Sequence, residues 1–62
     1  MKTYWFEIIT EGGDLEGEEF FVEAATLPDA CEIVKENFPG EDFKYNGRVS
    51  AFEAEMMGLD TY

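Results

Sequence analysis

The stretch of sequence that decides the fold is residues 18–38, EEFFVEAATLPDACEIVKENF. Its first part has apolar side chains at every second position from Phe20 to Ala24, a pattern typical of a half-buried antiparallel strand. After Thr26 the apolar residues recur at helical spacing. They form one stripe, which consists of Leu27, Ala30, Cys31, Val34 and Phe38. The stretch therefore predicts a strand over residues 18–25 and a helix that packs on it.

The predicted helix has sequence signals at both of its ends. Thr26 suits the N-cap position, Pro28 is tolerated in the first turn, and Asp29 lies near the positive end of the helix dipole. Pro39-Gly40 follows the last apolar position and ends the helix.

The residues on either side of this unit predict two further strands. Residues 3–10 are rich in aromatic and β-branched residues, and the glycine-rich acidic connector at 11–17 predicts a hairpin. Residues 42–49 predict a third strand. Within it, Asn46-Gly47 favours a tight turn, and a bulge in one continuous strand is the alternative. A right-handed crossover through the helix would let the third strand pair antiparallel beside the first.

The segment after the third strand predicts a short second helix. Ser50 and Glu53 have the spacing of a capping box, which places the helix over residues 51–57. Gly58 then suits the left-handed residue beyond the helix end. We therefore expect residues 1–62 to form a single α+β domain. The elements would follow the chain in the order β-β-α-β. The strands would form an antiparallel sheet, with one main helix packed on one face and a short C-terminal helix after the last strand.

The composition excludes several classes of function. Four basic and fifteen acidic residues give a net charge of −11, and the chain has no histidine. Such a negative chain is unsuited to bind the nucleic-acid backbone or an anionic membrane. Histidine is the commonest general base and transition-metal ligand in proteins, so the chain lacks the residue that most often performs these tasks. We therefore expect a protein that is not an enzyme, has no catalytic residues, metal or cofactor, and acts by binding another protein.

The single serine and the single cysteine both have structural interpretations. Ser50 suits a helix cap and Cys31 suits the core, and no histidine could activate either one. The carboxylates of Asp14, Glu16, Glu18 and Glu19 could attract Ca²⁺, but their spacing does not match a calcium-binding loop. The lone cysteine, and an N-terminal sequence without the apolar run of a signal peptide, predict a cytoplasmic protein.

Spaced carboxylates are the first candidate contact surface. Three of them follow one another at i, i+3 and i+7 on the main helix, about 5–6 Å apart, and the others lie on the first two strands. An ordered row of negative charges can imitate nucleic acid, which carries one charge per roughly 1.7 Å of duplex. The candidate residues are Glu7, Glu19, Glu23, Asp29, Glu32 and Glu36.

Two aromatic residues on the face opposite the main helix are the second candidate. Trp5 and Phe21 would lie among carboxylates there, and large aromatics ringed by polar groups are typical of interface hot spots. Two alternatives fit the same residues. The C-terminal helix could cover them through Phe52 and residues 56–57, or two copies of the chain could pair through this face. The protein is therefore expected to be a monomer or a homodimer.

Two segments of the chain carry a resemblance to known proteins. Phe20–Ala30 (FFVEAATLPDA) resembles a strand-to-helix unit of many small acidic proteins from phages and mobile elements. Glu53–Tyr62 (EAEMMGLDTY) is similar to the ends of such reading frames. Size, acidity and layout resemble those of anti-CRISPR and anti-restriction inhibitors, several of which imitate DNA.

This resemblance implies a stoichiometric inhibitor in the cytoplasm of a host bacterial cell. Its partner would be a protein with a basic nucleic-acid-binding groove, such as a CRISPR effector or another defence complex, from which it would exclude DNA. The resemblance assigns no role to any individual residue. The alternative is a small accessory or structural interaction module, whose acidity serves only solubility.

Overall fold

Three antiparallel strands and two helices make up the computed structural model, which describes residues 1–62. The α+β architecture expected from the sequence is therefore present. The elements follow the chain in the order β1 (Lys2–Ile8), β2 (Glu19–Ala24), α1 (Leu27–Asn37), β3 (Phe43–Val49) and α2 (Ala51–Met57).

The sheet has the strand order β2-β1-β3, and β1 is antiparallel to both neighbours. The third strand therefore pairs beside the first, and the connection through α1 crosses from one edge of the sheet to the other. Glu19 of β2 lies opposite Glu7, and Phe43 of β3 lies opposite Ile8. As a result, the connector after β1 and the segment before β3 meet at the same end of the sheet.

The main core lies on the face of the sheet that α1 covers, which we call the inner face. Alternation along β1 and β2 directs their apolar side chains to this face, where Phe6 stacks on Phe20 with ring centroids 6.0 Å apart. Eight buried residues form the core, namely Tyr4, Phe6, Ile8, Phe20, Val22, Ala24, Ala30 and Val34.

The helix-boundary signals of α1 are confirmed. The Thr26 hydroxyl accepts a hydrogen bond from the Asp29 backbone N–H at 3.4 Å, and Pro28 lies in the first turn. The helix ends before Pro39, and Gly40 has a φ of +80°, a conformation that glycine adopts without steric cost.

The preferred interpretation of Asn46-Gly47 as a turn is wrong, and the alternative is confirmed. β3 continues through both residues, but Trp5 pairs with Gly47 whereas Phe6 pairs with Tyr45. Asn46 is thus the extra residue of a bulge, and Gly47 supplies the φ of +123° that the bulge requires. A hairpin at this position would have removed the residues that pair with the first half of β1.

Residues 60–62 extend the sheet beyond β2. The Phe21 N–H donates to the Asp60 carbonyl at 2.8 Å, and the Tyr62 N–H donates to the Phe21 carbonyl at 2.8 Å. This tail runs parallel to β2, with Thr61 beside Phe21. It pairs with the β2 edge beside residues 21–23, whereas no strand pairs with the outer edge of β3.

The second helix lies beside the opposite face of the sheet, which we call the outer face. Its capping box is confirmed, since Ser50 and Glu53 exchange side-chain to backbone hydrogen bonds, and Gly58 is left-handed at the other end. The helix approaches the sheet with its small residues. Ala54 is its one half-buried residue, whereas Phe52 is 72% and Met56 73% exposed.

Candidate functional site

The six carboxylates predicted as contact residues do not form one array. The outer face of the sheet holds Glu7, Glu19 and Glu23, because strand alternation directs them away from the core. The other three lie on the exposed side of α1, beyond the inner face, since the helix turns its apolar stripe toward the sheet. The sheet therefore separates the two groups.

Two of these six carboxylates are also paired with cations. Glu7 lies 3.5 Å from the Lys44 ammonium and accepts a hydrogen bond from the Asn46 side chain at 3.4 Å. Glu32 lies 3.7 Å from the Lys35 ammonium. Glu7 is half-buried whereas the Glu32–Lys35 pair is exposed, and an exposed pair contributes little to stability. Both pairs reduce the negative charge of their surroundings.

A denser group of carboxylates lies at the end of the sheet where β1 finishes and β3 begins. Two hydrogen bonds join the contributing segments there, from the Ile9 N–H to the Asp42 carbonyl and from the Asp42 N–H to the Thr10 hydroxyl, both 2.8 Å. We call this group the acidic end, and it comprises Glu11, Asp14, Glu16, Glu18, Glu19, Glu41 and Asp42.

The acidic end holds seven of the fifteen acidic residues, and its two segments, 9–19 and 38–42, contain no lysine or arginine. Six of its seven carboxylates are exposed, and Glu41 is half-buried. From this group the sequence predicted only Glu19 as a partner contact, although Asp14, Glu16 and Glu18 were also considered with it as calcium ligands. The available signal was that a hairpin connector and the segment before the third strand must meet at one end of an antiparallel sheet.

The cations outside ion pairs lie toward the other end of the molecule. Lys2 begins β1 opposite Ala24, and Arg48 pairs with Tyr4 near the end of β3. The charge distribution is therefore polarised along the strands.

The aromatic contact residues predicted for the outer face are covered. Phe21 is fully buried and the tail pairs with its backbone, so its side chain presents no surface to a partner in this structure. Trp5 is half-buried, and its indole N–H is buried without an acceptor. A dimer through this face would require the outer layer to move away. The alternative in which the second helix covers this face through Phe52, Met56 and Met57 is not what the structure shows, since all three side chains are exposed.

Two clefts border the tail. The outer cleft, about 320 Å³, lies between α2 and the outer face, with Ala54 and Leu59 on one side and Thr3 and Glu23 on the other. The second, which we call the aromatic cleft, measures about 260 Å³. It has an apolar floor of Leu15, Phe20, Phe38 and Tyr62, and a rim of Glu18, Glu19 and Asp60.

The two residues that could act as nucleophiles, Ser50 and Cys31, both have structural roles. Ser50 caps α2, and Cys31 is a half-buried free thiol packed against the core. No three Asp, Glu or Cys side chains are grouped so that they could hold a metal ion. Neither helix has the length and apolar character needed to cross a membrane.

Comparisons with protein families, with characterised proteins and with solved structures give no match to this chain.

Proposed function

We propose that this protein is a stoichiometric inhibitor that occupies a basic nucleic-acid-binding surface of a host defence complex and blocks DNA binding. A CRISPR effector is the first target class to test, because the sequence resemblance points to it. The observation that carries the proposal is the acidic end, a dense group of carboxylates on two segments without a basic residue.

Such a surface would act through electrostatic complementarity. A groove that binds DNA presents lysine and arginine side chains to phosphates, and the same cations would attract exposed carboxylates. Long-range attraction raises the association rate and weakens as salt screens the charges. The inhibitor then excludes DNA because both ligands need the same cations.

The fold supports this role by holding the acidic segments together. The Thr10 hydroxyl and Asp42 tie the connector to the segment before β3, and the Gly17 N–H donates to the Ile8 carbonyl at 3.0 Å. Without such ties, carboxylates on two separate segments would move apart by mutual repulsion. The free cations Lys2 and Arg48 lie toward the opposite end, so the acidic end would lead the approach.

Charge reversal tests the proposal. The Glu11→Lys, Glu16→Lys variant changes the acidic end, and the Glu32→Lys, Glu36→Lys variant makes the same net change on α1. We expect association with a guide-loaded CRISPR effector to slow about tenfold or more for the first variant and less for the second. Stopped-flow binding at several salt concentrations and displacement of labelled DNA measure both effects. Failure of the wild-type chain to displace DNA, or binding unaffected by half-molar sodium chloride, would contradict the proposal.

A specific observation also favours the second candidate, an accessory interaction module. Phe52 and Met56 lie one helical turn apart on α2, and both are more than 70% exposed. They form an apolar ridge (Phe52 and Met56) that the fold does not use. In an accessory module, the Phe52→Ala, Met56→Ala variant would abolish partner binding, whereas salt and competing DNA would have little effect.

A further inference from the structure

The aromatic cleft combines three features that suit one kind of ligand. Its floor is made of aromatic rings, its rim carries carboxylates, and the C-terminal end of α1 lies beside it. Phe20 of the floor also belongs to the core, whereas Tyr62 lies outside the core and the rim carboxylates take part in no ion pair. The volume, about 260 Å³, is enough for one long side chain.

The floor is a cluster of three rings in mutual contact. Phe20 and Phe38 stack with centroids 4.6 Å apart, and Tyr62 meets them edge-on at 5.5 and 5.2 Å. Tyr62 is 43% exposed, although its backbone is fixed to Phe21 in the tail strand. Phe20 is only 2% exposed, so Tyr62 and the half-buried Phe38 provide the preformed ring surface on which a planar group can stack.

The rim is negative and unneutralised. Glu18, Glu19 and Asp60 are exposed, and none of them takes part in an ion pair or a side-chain hydrogen bond. Phe38 is the C-cap of α1, so the negative end of the helix dipole adds to the same field. The carboxylates are too spread to hold a metal ion, which favours an extended cation with several donors.

We propose that the aromatic cleft binds an arginine side chain of the basic partner. A guanidinium is planar, stacks on aromatic rings and donates hydrogen bonds in several directions, whereas a lysine ammonium is a compact and strongly hydrated charge. The arginine stem would lie on Leu15 and the guanidinium would lie over the rings. This inference rests on the proposed function for the source of the arginine. In that function the arginine belongs to the DNA-binding surface of the partner, and an arginine held in the cleft no longer contacts DNA.

The test uses the full chain and a short probe, so it needs no target complex. The probe is the capped peptide acetyl-Gly-Arg-Gly-Arg-Gly-amide, and its lysine counterpart has the same charge. Titrations followed by ¹H–¹⁵N and aromatic NMR give the affinity and the location. We expect the shifts to centre on Phe20, Phe38 and Tyr62, with the arginine peptide binding about threefold or more tightly than the lysine peptide.

Charge variants distinguish binding in the aromatic cleft from a general effect of the net charge of the protein. Glu18→Gln, Asp60→Asn removes two charges from the rim, and the matched control Glu23→Gln, Glu55→Gln removes two from the opposite side of the sheet. The rim variant should weaken arginine-peptide binding about fivefold or more, and the control less than twofold. Tyr62→Leu, checked for folding by its melting temperature, should erase the preference for arginine over lysine.

The inference fails if both charge variants weaken binding equally, if the shifts lie elsewhere, or if the two peptides bind alike. These outcomes leave the proposed function untouched, because an acidic surface could still compete with DNA. Conversely, arginine-specific binding in the cleft together with no displacement of DNA would overturn the proposed function alone.

Discussion

On the inner face of the sheet, α1 buries Ala30 and Val34 against the strands, whereas on the outer face α2 buries none of its residues. The inner layer is joined by large interlocking side chains. The outer layer is held by a capping box, a left-handed glycine and the backbone hydrogen bonds of the tail. Stability is therefore concentrated on one side of the sheet, and the large side chains of α2 are left for other contacts.

Truncation of the inner core should have the largest effect. Phe6 is fully buried and contacts the rings of Phe20, Phe43 and Tyr45. We expect Phe6→Ala to lower the free energy of unfolding by about 3–5 kcal/mol. A chain of this length is stable by only about 3–9 kcal/mol, so much of the variant should be unfolded. Urea denaturation followed by circular dichroism measures the loss; a change below about 1 kcal/mol would show that the inner core does not dominate.

Truncation in the outer layer should cost less at equal burial. Phe21 is as fully buried as Phe6, but it lies on the outer face beside a three-residue tail that can settle into the space. Because the cost of a cavity depends on how far its walls collapse, we expect Phe21→Ala to lose about 2–3 kcal/mol. The same urea titration compares the two variants directly. A loss equal to that of Phe6→Ala would indicate that the two layers are equally rigid.

Removal of the apolar ridge should have the smallest effect on stability. The Phe52→Ala, Met56→Ala variant deletes two mostly exposed side chains, and alanine favours the helix. We expect the free energy of unfolding to change by no more than about 0.5 kcal/mol. Thermal and urea denaturation check this, and a loss above about 1 kcal/mol would mean that the ridge supports the outer layer.

The sequence predicted most of the local structure, because each element has strong signals of its own. Alternation from Phe20 to Ala24 predicted the second strand. Thr26 predicted the start of α1, and the Ser50–Glu53 pair predicted the start of α2. The position of Asn46-Gly47 could not be decided locally. Both a turn and a bulge use a glycine with positive φ, and only pairing with β1 selects the bulge.

The candidate site was less predictable because it depends on how elements are placed in space. Carboxylates that looked like one array are separated by the sheet, and the acidic end joins the connector at 9–18 to Asp42 through contacts between distant residues. The orientation of α2 also differs from the one that its large apolar residues favour. The side with Ala54 faces the sheet, and Phe52 and Met56 are exposed. The tail strand had no periodic signal, because three residues are too few for one.

Trp5 gives the outer layer its own optical reporter. It is the single tryptophan of the chain and lies beside Phe21 on the outer face, whereas the inner core contains only tyrosine and phenylalanine rings. Tryptophan emission will therefore follow the local environment of the outer face, while far-ultraviolet ellipticity follows the whole domain. If the outer layer opens before the sheet unfolds, the two signals will change at different denaturant concentrations. Fluorescence would then detect a local opening that involves too little heat for calorimetry.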